Sequence, residues 1–250
     1  MGTCAAHRGW AVHVDLKKRI ALQAVAARLP LPEQSMERIA ELVHLRRVLD
    51  LLSIDCVLDV GANRGQFASE LRGVGFQGWI ISFEPLESEF AHLTKAFGRD
   101  SMWRGFRLAL GDKSGSAKMN VVSHLTVMSS LLESTMKFPD MVAQEIEIRR
   151  LDEMFNTATA GIESPRVLLK MDTQGYDLNV FAGAKGCLNH VQGLQSELSV
   201  VPIYKSMPHY VEALNVYEQA GFVLLDLSVV SRTEHGGIQE LNCFMGRRPS

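Results

Sequence analysis

The stretch that most constrains the fold is residues 56–67, which read CVLDVGANRGQF. A short apolar run stops at Gly61, a second glycine follows at Gly65, and a helical spacing of apolar residues begins at Phe67. This pattern predicts a strand, a tight turn and a helix. Glycines let the backbone adopt positive φ and let a ligand come close, and the first N–H groups of a helix lack partners within it. The turn is therefore predicted to bind a ligand.

A second acidic position indicates what kind of ligand. Glu84 ends the apolar run 80–83, about twenty residues after the glycines, where a carboxylate can accept two hydrogen bonds from a ribose diol. The dinucleotide fingerprint needs three glycines around a pyrophosphate, and this turn has two, with Asn63 between them. Asp59, just before the turn, would repel a phosphate and attract an ammonium group. A ribose joined to an ammonium group, as in S-adenosylmethionine, suits both acids.

Five sequence blocks occur in order: DVGANRGQF, SFEP, LALGD, MSSLL and LLKMDTQGYDL. Together they resemble the FkbM family of S-adenosylmethionine-dependent methyltransferases, from about residue 42 to residue 245. The resemblance implies methylation of hydroxyl oxygens on sugars, glycolipids or polyketide-type natural products. Many members of that family carry an acid where this chain has Gln174, which weakens the case for a metal there. The residues that match the family's cofactor motif are Asp59, Gly61, Asn63, Gly65 and Glu84.

Strand and helix patterns alternate along the chain, which predicts an α/β fold with a doubly wound, Rossmann-like methyltransferase sheet. Two final strands, joined by a short polar loop, predict an antiparallel hairpin at the sheet edge. The expected strands are 56–60, 79–83, 106–110, 118–122, 146–149, 167–171, 191–197, 222–230 and 241–246.

Two amphipathic helices are predicted ahead of this sheet, over residues 12–29 and 33–52, with prolines between them. We therefore expect an N-terminal helical segment, 1–52, and a methyltransferase domain, 53–250. Three roles stay open for the helices: covering the sheet, closing the cofactor site, or pairing two subunits into a homo-oligomer.

Several acids and one apolar residue fall at or near predicted strand ends, and ligands of doubly wound sheets bind at the carboxyl ends of strands. Leu110 and Asp112 are expected at the far wall of a nucleoside pocket, where Asp112 can accept from an adenine amino group or simply form a turn. The residues expected to share one site are Asp59, Glu84, Leu110, Asp172 and Glu197.

Methylation of an alcohol requires removal of its proton, by a base or with help from a metal. Asp172 is the first candidate base; its structural alternative is a helix N-cap before Gly175. Glu197 is expected to orient the acceptor or to share Mg²⁺ with Asp172; its alternative is an ion pair with Lys170 or Lys205. His124, in a polar loop, is a further candidate base, or a solvated histidine without a role.

Composition excludes some partners. With a net charge of −2, nothing favours nucleic acid or an anionic membrane surface, and no apolar run is long enough to span a membrane. Residues 1–10 do not read as a signal peptide, and four widely spaced cysteines favour free thiols in the cytoplasm.

Other functions on the same fold stay open at this point. They are a small-molecule N- or C-methyltransferase and a non-catalytic nucleoside-binding module; a dehydrogenase is disfavoured by the missing third glycine. The acceptor is expected to be a small molecule or a glycan, in a pocket formed by the N-terminal helices and the loops 123–140 and 203–209.

Overall fold

The computed structural model describes residues 33–122, 126, 129–135 and 139–247. The predicted helix 12–29 and Cys4 lie outside this range. The chain divides into two units, Met1–Arg38 and Ile39–Ser250, and the sheets described below belong to the second. The predicted boundary at residue 52 stays a prediction.

Ten strands and six α-helices alternate along the described chain. The strands are β1 Cys56–Val60, β2 Trp79–Phe83, β3 Trp103–Phe106, β4 Ala109–Leu110, β5 Gly115–Val122, β6 Met141–Arg149, β7 Val167–Met171, β8 Val191–Ser199, β9 Phe222–Arg232 and β10 Ile238–Arg247. The helices are α1 Glu33–Leu51, α2 Gln66–Gly73, α3 Glu87–Phe97, α4 Leu151–Ala158, α5 Asp177–Gly183 and α6 Tyr210–Gln219, and a 3-10 helix covers Lys185–His190.

Seven strands form one sheet in the order β3-β2-β1-β7-β8-β10-β9. The first five are parallel, whereas β10 runs antiparallel to both β8 and β9. The strand order reverses between β1 and β7, which is the switch point where such sheets bind ligands. The predicted doubly wound α/β fold and the antiparallel hairpin are confirmed; β10 lies inside the sheet, and β9 forms its edge.

The prediction of a single strand over 106–110 was wrong. The main-sheet strand β3 ends at Phe106, and Leu110 belongs to β4 of a second sheet, ordered β4-β6-β5. The alternation of apolar residues continues through Phe106, Leu108 and Leu110, so the pattern does not reveal where the chain leaves the first sheet. The predicted strands at 118–122 and 146–149 are parts of β5 and β6 in this second sheet.

The central strands β1 and β7 are buried along their whole length, as expected for parallel strands covered on both faces. One face carries a core that includes Leu58, Phe83 and Leu169, and the other a core that includes Val57, Phe67 and Leu168. Leu45, Val48 and Leu49 of α1 join the second core. Within the described residues, no helix is long and apolar enough to cross a membrane.

Candidate functional site

The glycine turn after β1 lies against the end of β7. Gly61 has φ 76° and Gly65 has φ 91°, both in the region that favours glycine. A Cβ atom on Gly61 would stand 2.0 Å from the carbonyl oxygen of Asp172, and one on Gly65 would stand 2.6 Å from the Phe97 ring. Gly61 thus lets the turn approach the end of β7, whereas Gly65 lets α2 pack on α3.

Glu84 follows the last residue of β2 and faces this turn. One carboxylate oxygen accepts from the Asn63 N–H at 2.8 Å, and the other accepts from the Leu86 N–H at 2.8 Å. The side chain is only 4% exposed, and burial raises its pKa to about 7. Each carboxylate oxygen keeps a second lone pair for a ligand.

A pocket opens at the carboxyl ends of β1, β2 and β7. Its empty volume is about 440 Å³, including the open mouth. Both sheets contribute to it, since Met119 of β5 and Leu131 stand opposite the main-sheet residues. Apolar side chains predominate, as in small-molecule sites generally. The lining includes Gly61, Phe83, Glu84, Leu110, Met119, Leu131, Asp172 and Tyr176.

Asp59 lies in the interior beside the glycine turn, and its expected contact with a ligand ammonium stays a prediction. Asp59 is fully buried and forms an ion pair with Lys170 at 3.0 Å. Lys170 also donates to the carbonyl oxygen of Gly61 at 3.2 Å and lies 3.6 Å from Asp172. Because Lys170 already neutralises Asp59, this acid supports the turn from beneath. Desolvation favours a neutral Lys170, but the facing acids outweigh it and raise the lysine's pKa.

Asn63 and Asp112 lie beside the pocket. The Asn63 side chain accepts from Gln66 Nε2 at 3.1 Å and donates to Thr126 at 3.4 Å, so it ties the turn to the loop after β5. Asp112 accepts from the Tyr176 hydroxyl at 3.3 Å, and Tyr176 itself lines the pocket.

Asp172 follows β7, lines the pocket, and has a side chain 42% exposed. Its structural alternative, an N-cap of the next helix, is not observed: the N-cap of α5 is Tyr176. Asp177 anchors the 172–177 turn instead, accepting from the Thr173 N–H at 2.9 Å and from Ser196 Oγ at 2.8 Å. The Asp172 carboxylate is therefore not needed as a helix cap, and it lies 3.4 Å from Gln174 Nε2 and 3.6 Å from Lys170 Nζ.

Glu197 on β8 is half-buried, and the side-chain amide of Gln174 links it to Asp172. The Gln174 Nε2 group donates to Glu197 at 3.0 Å and contacts Asp172 at 3.4 Å. Burial first, and the nearby acids Asp172, Glu240 and Asp177 next, raise the pKa of Glu197 well above its usual range. The alternative ion pairs are not formed as predicted, since Lys170 pairs with Asp59, and Lys205 with Glu133 at 2.6 Å.

The predicted Mg²⁺ pair, Asp172 and Glu197, does not fit a metal. The Gln174 amide stands between the two carboxylates with its N–H₂ group towards them, and its oxygen, the atom that could ligate a cation, accepts from Tyr204. In the part of the chain that the structure describes, no group of three or more His, Cys, Asp or Glu residues is placed to hold a metal ion.

Some of the site was missed by the sequence reasoning. Asp177 was not predicted, nor were the partners of Lys170 and Tyr204: Lys170 pairs with Asp59, and Tyr204 donates to Gln174, whereas only the charge pattern KMD at 170–172 offered a signal for Lys170. His124 lies outside the described residues, so its role as a base stays a prediction. Cys56, Cys187 and Cys243 are free and buried, as expected.

A doubly wound sheet with a pocket at its switch point, and a buried acid directly after the second strand, is typical of the class of Rossmann-like, nucleoside-cofactor enzymes. The particular family follows from comparison with known sequences. The pattern described as the methyltransferase FkbM domain matches residues 59–224, so the chain belongs to this family. The protein is an S-adenosylmethionine-dependent methyltransferase, as the resemblance predicted.

The solved structures that are similar to this chain are similar at low sequence identity. A methyltransferase from Thermobifida fusca is 11% identical with a TM-score of 0.49, and the match covers 93% of this chain and 88% of the other. TehB from Haemophilus influenzae is 11% identical with a TM-score of 0.46, covering 84% and 62%. Aeropyrum pernix fibrillarin, solved with natively bound S-adenosyl-L-methionine, is 10% identical with a TM-score of 0.43, covering 76% and 66%. Among curated proteins, none matches this chain.

Proposed function

We propose that this methyltransferase transfers the methyl group to a hydroxyl oxygen of a sugar, a glycolipid or a polyketide-type natural product. One observation carries the proposal: Asp172 lines the same pocket as Glu84 and Gly61, its side chain is 42% exposed, and it does not cap α5. An alcohol needs a base at the point of transfer. Asp172 supplies one beside the cofactor site.

We propose that the ribose of the cofactor binds Glu84 and that the cofactor passes close to the protein backbone at Gly61. The two backbone amides use one lone pair on each Glu84 oxygen, and the second lone pair of each oxygen can accept from a diol. Asn63 and Gly65 shape the turn, and Leu110 provides an apolar wall for the adenine. Asp112 is proposed to act near the adenine through Tyr176, and Asp59 through Lys170.

When bound, the cofactor supplies a methyl group already activated on a sulfonium, so the chain mainly aligns the acceptor and excludes water. Asp172 accepts the proton of the acceptor hydroxyl as the oxygen is methylated. Glu197 orients the acceptor from the neighbouring strand. Lys170 Nζ lies 3.6 Å from the Asp172 carboxylate, on the side of the glycine turn.

The second candidate is methylation of nitrogen or carbon on a small molecule. An amine that reacts as its free base needs less help from a carboxylate than an alcohol does, so the accessible Asp172 favours oxygen.

A cytoplasmic location, the absence of a nucleic-acid partner, and homo-oligomerisation remain predictions from composition and helix pattern.

The proposal is tested by incubating the protein with S-adenosylmethionine that carries a labelled methyl group and with fractionated extracts of the source organism. We expect label in a fraction that contains glycosides or glycolipids, and loss of that label when S-adenosylhomocysteine is added. Label only in amine-containing metabolites would favour the second candidate.

A further inference from the structure

Both polar atoms of the Gln174 side chain form hydrogen bonds. Its Nε2 group lies 3.0 Å from a Glu197 oxygen and 3.4 Å from an Asp172 oxygen, and its Oε1 atom accepts from the Tyr204 hydroxyl at 3.1 Å. The amide therefore stands between Asp172 and Glu197, the two acids proposed to act on the acceptor. The Tyr204 hydroxyl holds its oxygen.

Hydrogen-bond chemistry determines which way this amide points. The opposite orientation would place the amide oxygen against the oxygens of Asp172 and Glu197, and the Asp172 carboxylate would lose its amide donor. Donation towards Asp172 and Glu197 is the orientation in which every partner is complementary.

The backbone of Gln174 is fixed as firmly as its side chain. Its φ is 52°, and its carbonyl oxygen accepts from Ser130 Oγ at 2.7 Å. Ser130 is fully buried, and Tyr204 is 2% exposed. Two loops thus hold the residue, and they pair with each other through a bridge between Ser134 and Tyr204.

We propose that the Gln174 amide takes the place of a divalent cation between Asp172 and Glu197, so that the acceptor site works without a metal ion. An N–H donor offsets part of the repulsion between two carboxylates, as a bound cation would do more strongly. The amide oxygen, the one atom of this side chain that could ligate Mg²⁺, accepts from the Tyr204 hydroxyl at 3.1 Å instead.

The inference rests on the proposed function only where methyl transfer is measured. Metal binding can be measured without any catalysis. Gln174→Glu keeps the size of the side chain and turns the site into three carboxylates, a set that binds Mn²⁺. Gln174→Met keeps the length, removes the amide and adds no charge, which makes it the matched control. Affinity for S-adenosylhomocysteine reports whether each full-length variant remains folded.

Calorimetric titration of the three proteins with MnCl₂ tests the binding arm. We expect Gln174→Glu to bind Mn²⁺ at least about 10-fold more tightly than either the wild type or Gln174→Met. We also expect methyl transfer by the wild type to be unchanged by EDTA, whereas any transfer by Gln174→Glu should increase on adding Mn²⁺.

Equal Mn²⁺ affinity in all three proteins would overturn the inference, as would wild-type transfer that stops on chelation and recovers with Mg²⁺. If Gln174→Glu does not fold, the chelation result on the wild type decides the question. If the wild type transfers no methyl group at all, the proposed function fails while the Mn²⁺ titration still stands.

Discussion

At the scale of single residues, three acids near the ends of neighbouring strands lie in three different environments. Glu84 is buried and held by two backbone amides, Asp172 is 42% exposed at the pocket, and Glu197 is half-buried against other carboxylates. The same functional group is thereby suited to binding a diol, taking a proton, or orienting an acceptor, because environment sets protonation and access.

Glu84→Ala should weaken binding of S-adenosylhomocysteine by roughly 1–3 kcal/mol, which is about 5- to 150-fold in Kd, because the ribose hydroxyls lose their acceptor. Isothermal titration calorimetry measures this directly. Glu87→Ala is the matched control, since Glu87 lies three residues further on and is 79% exposed. Equal affinities in the two folded variants would contradict the assignment of Glu84.

The affinity for S-adenosylhomocysteine should also depend on pH. Burial raises the pKa of Glu84 to about 7, so its protonated form stabilises the fold below the ordinary pKa, and that stabilisation is lost as pH rises through about 7. The ribose diol donates best to the ionised form, so wild-type affinity should increase between about pH 6 and pH 8. Glu84→Gln should show a flatter profile. A wild-type affinity that falls over this interval would rule out the carboxylate as the diol acceptor.

Asp172→Asn keeps the shape of the side chain and removes its capacity to take a proton. Turnover should fall by roughly 10²–10⁴-fold, the usual contribution of a general base, while affinity for S-adenosylhomocysteine changes little. Turnover, affinity and the unfolding midpoint should be measured on the same preparation. Normal turnover with an early unfolding midpoint would mean that Asp172 is structural, and His124 would then be the next residue to replace.

At the scale of secondary-structure elements, the polar residues of the site line up because the strands are in register. Asp59 of β1 pairs in register with Ser82 of β2 and with Lys170 of β7, and Lys170 pairs with Gln195 of β8. All four side chains are buried. The Asp59–Lys170 pair joins the two strands at the switch point and supports the glycine turn through Gly61.

Lys170→Met should lower the free energy of unfolding by about 3–5 kcal/mol, because Asp59 would remain as an unpaired charge in the interior. The double variant Asp59→Asn with Lys170→Met removes both charges and should recover part of that loss. Urea unfolding of the wild type, both single variants and the double variant gives the coupling between the residues. Strictly additive effects would mean that the pair does not interact energetically.

At the scale of the whole molecule, the sequence predicted those features that depend on local pattern. The turn at Gly61 and Gly65, the acid at Glu84 and the alternation of elements are set by neighbours in sequence, and the fold confirms the sheet that they imply. The second sheet, the Asp59–Lys170 pair and the bridge from Gln174 to Tyr204 depend on contacts between distant segments. The charged residues of KMD at 170–172 mark Lys170 as unusual within an apolar strand, but nothing in a single sequence identifies the distant partner of any of these residues.

The central claim, methyl transfer to oxygen, is tested most directly by the chemical identity of the product. The protein is incubated with S-adenosylmethionine labelled with ¹³C in the methyl group and with the acceptor-containing fraction, and the product is analysed by NMR. We predict a methoxy carbon signal with the wild type and its near absence with Asp172→Asn. An N-methyl or C-methyl signal, or a methoxy signal that persists undiminished in Asp172→Asn, would contradict the account.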